Sequence, residues 1–327
     1  MQQLHPTKLV AKIVPVTLHW LVRLKIVLVE SMTSWVDHRA SSKGAALAFY
    51  TLFSMTPILV LAIAAAGYVF GEKAAQGEIV AQVQGLVGPN GAQAIQALLA
   101  AAQNPASGLL ATLVASVLLL LGTTSVFVEL KGSLDELWGI DRNPQSVFSV
   151  LLKTRLLSFG MVIVLAFLML VSLVVSAMLS MLGHYASGMS GSSVAMLETL
   201  SSLISFCVIA SMFAVIYKTL PDAPLSWRDV WIGAAFTAAL FSLGKYAIGL
   251  YLGNSGVASS FGAAGSLIAL LLWVYYSAQI FFLGAEFTRY YALWFGSLQH
   301  ERLDFEESAR LAAKTSADET VLQTPIQ

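Results

Sequence analysis

Seven residues of this chain combine side-chain chemistry with a setting that gives it consequence: Lys245, Tyr50, Ser54, Pro57, Tyr275, Gln279 and Glu286. Lys245 lies in a long apolar helical pattern, on the face that also carries Ala234, Ala238, Ser242 and Gly249. Small residues let helices approach closely, so this face points into a bundle. Two outcomes are open to such a lysine. It snorkels to headgroups ~10 Å away along the helix axis, or it faces a cavity and holds a lipid phosphate or another anion as a compact point charge. Tyr275, Gln279, Phe282 and Glu286 share one face of a second helix at ~100° per residue. Trp273 and Ser277 lie on its opposite side. Glu286 is placed either to line a cavity or to pair with Arg155 or Arg228 at the same depth. Tyr50 and Ser54 share a face with Pro57, and their hydroxyls either line that cavity or pack against neighbouring helices. Pro57 removes a backbone donor, frees the carbonyl of Phe53 and predicts a bend.

The elements that position these residues are apolar and long. Of the 327 residues 57% are hydrophobic and only 11% charged, where soluble domains average about 25% charged. Mean hydropathy is +0.76. Between Tyr246 and Ala285 no Asp, Glu, Lys, Arg or His occurs. Since ~20 apolar residues span a bilayer, that run extended back to Val230 holds two spans. The Gly/Ser-rich stretch 253–266 breaks it. The same pattern predicts an all-α polytopic membrane protein with six spans, near 44–70, 109–128, 156–182, 200–217, 230–252 and 266–287. Residues 1–43, with Trp20 and Trp35 among basic residues, predict a helix lying in the cytoplasmic headgroup layer. Amphipathic stripes on either side of Gly88-Pro89-Asn90 predict two short helices, an outer hairpin over 72–103. The polar tail 296–327 is expected to be partly disordered.

Lys and Arg divide unevenly between the two sides of this scheme. Sixteen fall on the side of the termini, against Lys73 alone on the other. The bias predicts a bacterial inner-membrane protein with both termini cytoplasmic. Net charge is zero, which speaks against a nucleic-acid partner. The single cysteine, Cys207, precludes an internal disulfide, and five scattered His give no metal-ligand spacing. No nucleotide or cofactor motif and no Gly-x-Ser-x-Gly elbow is present. Neither a catalytic constellation nor a cofactor is expected, and the chain reads as a non-enzyme.

Three ordered stretches resemble one family, the YihY/BrkB-type bacterial inner-membrane proteins formerly labelled ribonuclease BN. They are GAALAFYTLFSMTPILVL (44–61), YKTLPDAPLSWRDVWIGAAFTAALF (217–241) and FGAAGSLIALLLWVYYSAQIFFLGAEF (261–287). Where the family usually reads Tyr-Gly-Ser, this chain has Phe261-Gly262-Ala263, so a Tyr hydroxyl is missing. The resemblance implies a six-span bundle. It does not carry a ribonuclease: RNA hydrolysis needs a metal cluster or an acid–base pair on a basic aqueous surface, and the connectors supply none. Two functions remain. One is a transporter or lipid-handling protein with a cavity between spans one, five and six, contacting membrane lipids. The other is a scaffold that docks a periplasmic or envelope partner through the outer hairpin.

Overall fold

The structure is a computed structural model that describes residues 6–102, 125–126, 128–140, 191–254, 264–300 and 302–303. Six long or medium helices and one short one carry them. They are α1 (Pro6–Asp37), α2 (Ala40–Phe70), α3 (Glu72–Ala102), α4 (residues 128–137), α5 (Gly191–Thr219), α6 (Trp227–Asn254) and α7 (Gly265–Phe295). All described regular structure is helical. Among the described residues three stretches are long and apolar enough to cross a membrane: Thr199–Thr219, Trp227–Tyr251 and Gly265–Phe295. They coincide with the fourth, fifth and sixth predicted spans. α2 covers the first predicted span and continues through Pro57. The second predicted span, apart from its last few residues, and the whole of the third lie outside the described residues, as does most of the tail.

α7 is the central strut. At 1.5 Å per residue its 31 residues extend about 46 Å. α6 runs antiparallel to it through close backbone approach. A Cβ at Gly233 would overlap Thr288 Oγ1, a Cβ at Gly284 would overlap Thr237 Oγ1, and one at Gly244 would collide with Tyr276. Both threonine hydroxyls donate to their own helix, Thr237 to Gly233 O at 2.8 Å and Thr288 to Gly284 O at 2.7 Å. No polar group is left over where the helices touch there. α5 closes against this pair through Tyr217, fully buried, whose hydroxyl donates to Phe281 O at 2.7 Å and meets Thr237 Oγ1 at 3.2 Å. Leu243, Tyr246 and Leu250 on the outward side of α6 are each two-thirds or more exposed, as a lipid-facing surface would be.

Two apolar clusters organise the described interior. The larger gathers Leu134, Leu137 and Trp138 after α4 with Tyr217, Leu220, Leu225, Val230, Phe281, Phe282 and Ala285. α4 is fastened there by polar bonds: Trp138 Nε1 donates to Ala285 O at 3.2 Å, and the Arg289 guanidinium donates to Leu137 O. Lys131 bridges Asp135 at 3.0 Å and Asp222 at 2.9 Å, and Lys43 meets Glu136 at 2.8 Å. The second cluster joins α2, α3 and α7 through Leu59, Ile63, Val80, Ala94, Ile95, Leu99 and Leu270.

That second cluster corrects one sequence expectation. Gly88-Pro89-Asn90 does not divide 72–103 into two helices; one helix, Glu72–Ala102, continues through Pro89. A proline inside a helix removes a hydrogen bond at a cost of about 3 kcal/mol. Val80 before the proline and Ala94, Ile95 and Leu99 after it are all buried in the same cluster. Packing on both sides outweighs the local breaker.

Candidate functional site

α1 ends at Asp37, and the chain turns through Arg39, whose φ of 53° is left-handed, before α2 starts at Ala40. The turn lays α1 antiparallel along the far end of α7. Three polar pairs spaced four residues apart on both helices follow. His38 Nδ1 meets Glu286 Oε1 at 2.6 Å, Ser34 Oγ meets Tyr290 OH at 2.5 Å, and Trp294 Nε1 donates to Glu30 Oε2 at 2.7 Å. Trp20 stacks on Phe295 with ring centroids 4.6 Å apart. The opposite side of α1 exposes Leu21, Val22, Val29, Met32 and Val36.

The sequence-selected residues fall into separate places. Glu286 is fully buried, and its Oε2 has no partner among the described residues. Its partner is His38, 248 residues away in sequence, rather than Arg228; Arg155 lies outside the described residues. Gln279, two turns earlier on the same face, has both amide atoms buried and, among the described residues, unpartnered. It presses on α2, where a Cβ at Gly44 would overlap its Nε2. Tyr275 on this face is half-buried. On α2, Ser54 is buried and its hydroxyl donates back to Tyr50 O at 2.8 Å, while Tyr50 itself is half-buried. Pro57 lies inside α2.

Lys245 sits on the other side of α7. A shallow groove between α6 and α7, too narrow to enclose a water molecule, is lined by Phe241, Lys245, Ile248, Trp273, Tyr276 and Ser277. The ammonium lies 5.7 Å from the Tyr246 ring centroid. No carboxylate partner reaches it among the described residues. Ala234 and Ala238, predicted on its helix face, are fully buried, whereas Gly249 looks onto open space. The Lys245 cleft and the Gln279–Glu286 face are therefore distinct surfaces of one helix. Among the described residues no group of three His, Cys, Asp or Glu side chains is gathered to hold a metal.

Sequence reasoning passed over two functional-looking groups. His38 was hidden because its partner lies across the chain, although Glu30, Ser34 and His38 do repeat at four-residue spacing against Glu286, Tyr290 and Trp294. Asp229 was hidden within a Trp-Arg-Asp motif. It is buried, and its Oδ2 accepts from Ser297 N at 2.8 Å and from Ser297 Oγ at 2.7 Å.

The chain matches the family described as virulence factor BrkB over residues 31–304. A UPF0761 membrane protein of Verminephrobacter eiseniae is 29% identical over 252 residues, covering 76% of this chain and 57% of the relative. One of Pseudomonas aeruginosa is 27% identical over 257 residues, covering 77% and 59%. One of Tolumonas auensis is 30% identical over 96 residues, covering 29% and 32%. The chain thus spans less than six-tenths of the length of the first two of these relatives. No solved structure matches it. Its apolar helices and a match that takes in all three motif stretches agree: the chain belongs to the virulence factor BrkB family of membrane proteins.

Proposed function

We propose that this membrane protein handles anionic lipids or lipid-like anions, as a transporter or lipid-handling protein, at the cleft between α6 and α7. The observation that carries the reading is Lys245, a half-buried cation inside an apolar span with no carboxylate beside it among the described residues. Charge at such depth is expensive and is retained where water or a counter-ion meets it. An ammonium is a compact phosphate ligand. Around it Trp273, Tyr276 and Tyr246 supply rings with one apolar and one polar end, the type that settles at headgroup level. In this reading the chain sits in the bacterial inner membrane with both termini cytoplasmic, which the distribution of Lys and Arg supports.

A scaffold docking an envelope partner through residues 72–103 is the less favoured reading. Ile95 and Leu99, from the apolar stripe such a partner would use, are buried against α2 and α7, and Ile79 is packed on the same cluster.

The test is lipid binding by purified protein in nanodiscs of phosphatidylglycerol or phosphatidylcholine. Wild type should prefer the anionic lipid, Lys245→Arg should keep part of that preference, and Lys245→Met should lose it while melting at an unchanged temperature. Equal binding of both lipids by wild type and Lys245→Met overturns the reading.

A further inference from the structure

The junction of α1, α2 and α7 holds more unsatisfied polar atoms than any other part of the described interior. Glu286 Oε2, both amide atoms of Gln279 and Trp35 Nε1 are buried without partners. Buried polar groups in folded proteins are nearly all hydrogen-bonded. An orphan set that includes a carboxylate in an apolar span therefore marks a place where water or a ligand is met. His38 gives access: its side chain is 29% exposed while Glu286 is 0% exposed, and the two are in contact at 2.6 Å. An imidazole half in the open, hydrogen-bonded to a carboxylate closed off behind it, is the arrangement by which protons enter a buried site.

We propose that His38 and Glu286 form a proton-binding site, loaded through His38, with the Gln279 amide continuing its polar face into the span. The step is a simple transfer. A proton on His38 Nδ1 passes to Glu286 Oε1, turning imidazolium and carboxylate into neutral imidazole and neutral acid, and a second proton then recharges His38. Of the neighbouring charges, Arg289 acts on Glu286 through space, and the others are engaged elsewhere. On α7 the Arg289 guanidinium donates to Leu137 O. On α4, Asp135 is paired with Lys131 and Glu136 with Lys43 of α2. Asp229 of α6 holds Ser297, and Lys218 of α5 donates to Leu225 O. Among the described residues no other charge, Arg39 and Arg228 included, bonds Glu286. The site lies on the face of α7 opposite the Lys245 cleft, so it stands or falls apart from the lipid reading.

Infrared difference spectroscopy of the full chain in nanodiscs, stepped from about pH 5 to 9, tests it. Wild type should show a protonated-carboxyl band that titrates within this range and is absent from Glu286→Gln. In His38→Gln and in Gln279→Leu the midpoint should move by about one pH unit, the scale of one altered neighbour. Lys245→Met should leave band and midpoint as in wild type. A band that survives in Glu286→Gln, or no titrating band in wild type, overturns the proposal. Should Glu286→Gln fail to fold, an unmoved midpoint in both His38→Gln and Gln279→Leu overturns it equally.

Discussion

Gly233 and Thr288 pack so closely across α6 and α7 that no side chain larger than hydrogen fits at the glycine, and Gly284 repeats the relation with Thr237 one turn away. The two contacts are reciprocal, each helix contributing one glycine and one threonine. Between membrane helices apolar burial gives no net drive, so contact area won by small residues is the main adhesive. Gly284→Val and Gly233→Leu should each destabilise the bundle by about 1–3 kcal/mol, as overpacking does, read as a lower melting temperature in detergent. Gly249→Ala, with nothing within 4 Å of its would-be Cβ, should melt as wild type does or slightly higher. Equal losses at all three positions would sink the close-packing account.

The Lys131 group gives a stability change on the alkaline side. Partial burial alone would lower this lysine's pKa, but hydrogen bonds to Asp222 and Asp135 and their charges outweigh it and raise the value above 10.5. The charged form is thus favoured in the folded chain. Its stabilisation is complete below pH 10.5 and disappears as pH climbs through the raised value. Wild type should lose melting temperature above that pH more steeply than Asp222→Asn, in which part of the linkage is already gone. Parallel pH profiles for the two would remove Lys131 from the explanation.

Asp229 fastens the chain after α7 to the start of α6. Asp229→Ala removes acceptors for Ser297 N and Oγ and should cost about 1 kcal/mol, the net worth of hydrogen bonds whose donors lie on an exposed residue. Hydrogen exchange should speed up at 296–300 before it does in the helices. Gly296→Ala should produce the same local loosening, because a Cβ there collides with the Asp229 carboxylate.

Orientation is open to direct chemistry. After replacing the exposed Cys207 by serine, single cysteines at positions 90 and 190 should react with an impermeant thiol reagent applied to intact cells. Cysteines at 140 and 222 should react only after lysis. Labelling of position 140 in intact cells would overturn the six-span arrangement.

Hydropathy made the helices at 200–217, 230–252 and 266–287 legible, because crossing a bilayer imposes length and composition on each span separately. A helical wheel likewise placed Ala234 and Ala238 inside. What stayed hidden depends on two distant segments at once. The Glu286–His38 pair is one example: depth along the sequence favoured an arginine, and only the turn at Arg39 brings the histidine there. The continuity of α3 is another, since Gly88-Pro89-Asn90 is a strong local stop and only the shared cluster around Leu59, Ile63 and Leu270 overrides it. Lys245 was found by its charge alone, but its side of α7 could not be known before the partner helix was in place.

α7 is about 46 Å long against a hydrocarbon layer of about 30 Å, and its surplus end is the part bonded to α1. The two helices therefore behave as a lever with its fulcrum at the membrane surface. A thicker or thinner bilayer changes the tilt a long helix adopts. The His38, Ser34 and Glu30 contacts tie α1 to that surplus end, so a tilt of α7 would carry α1 with it.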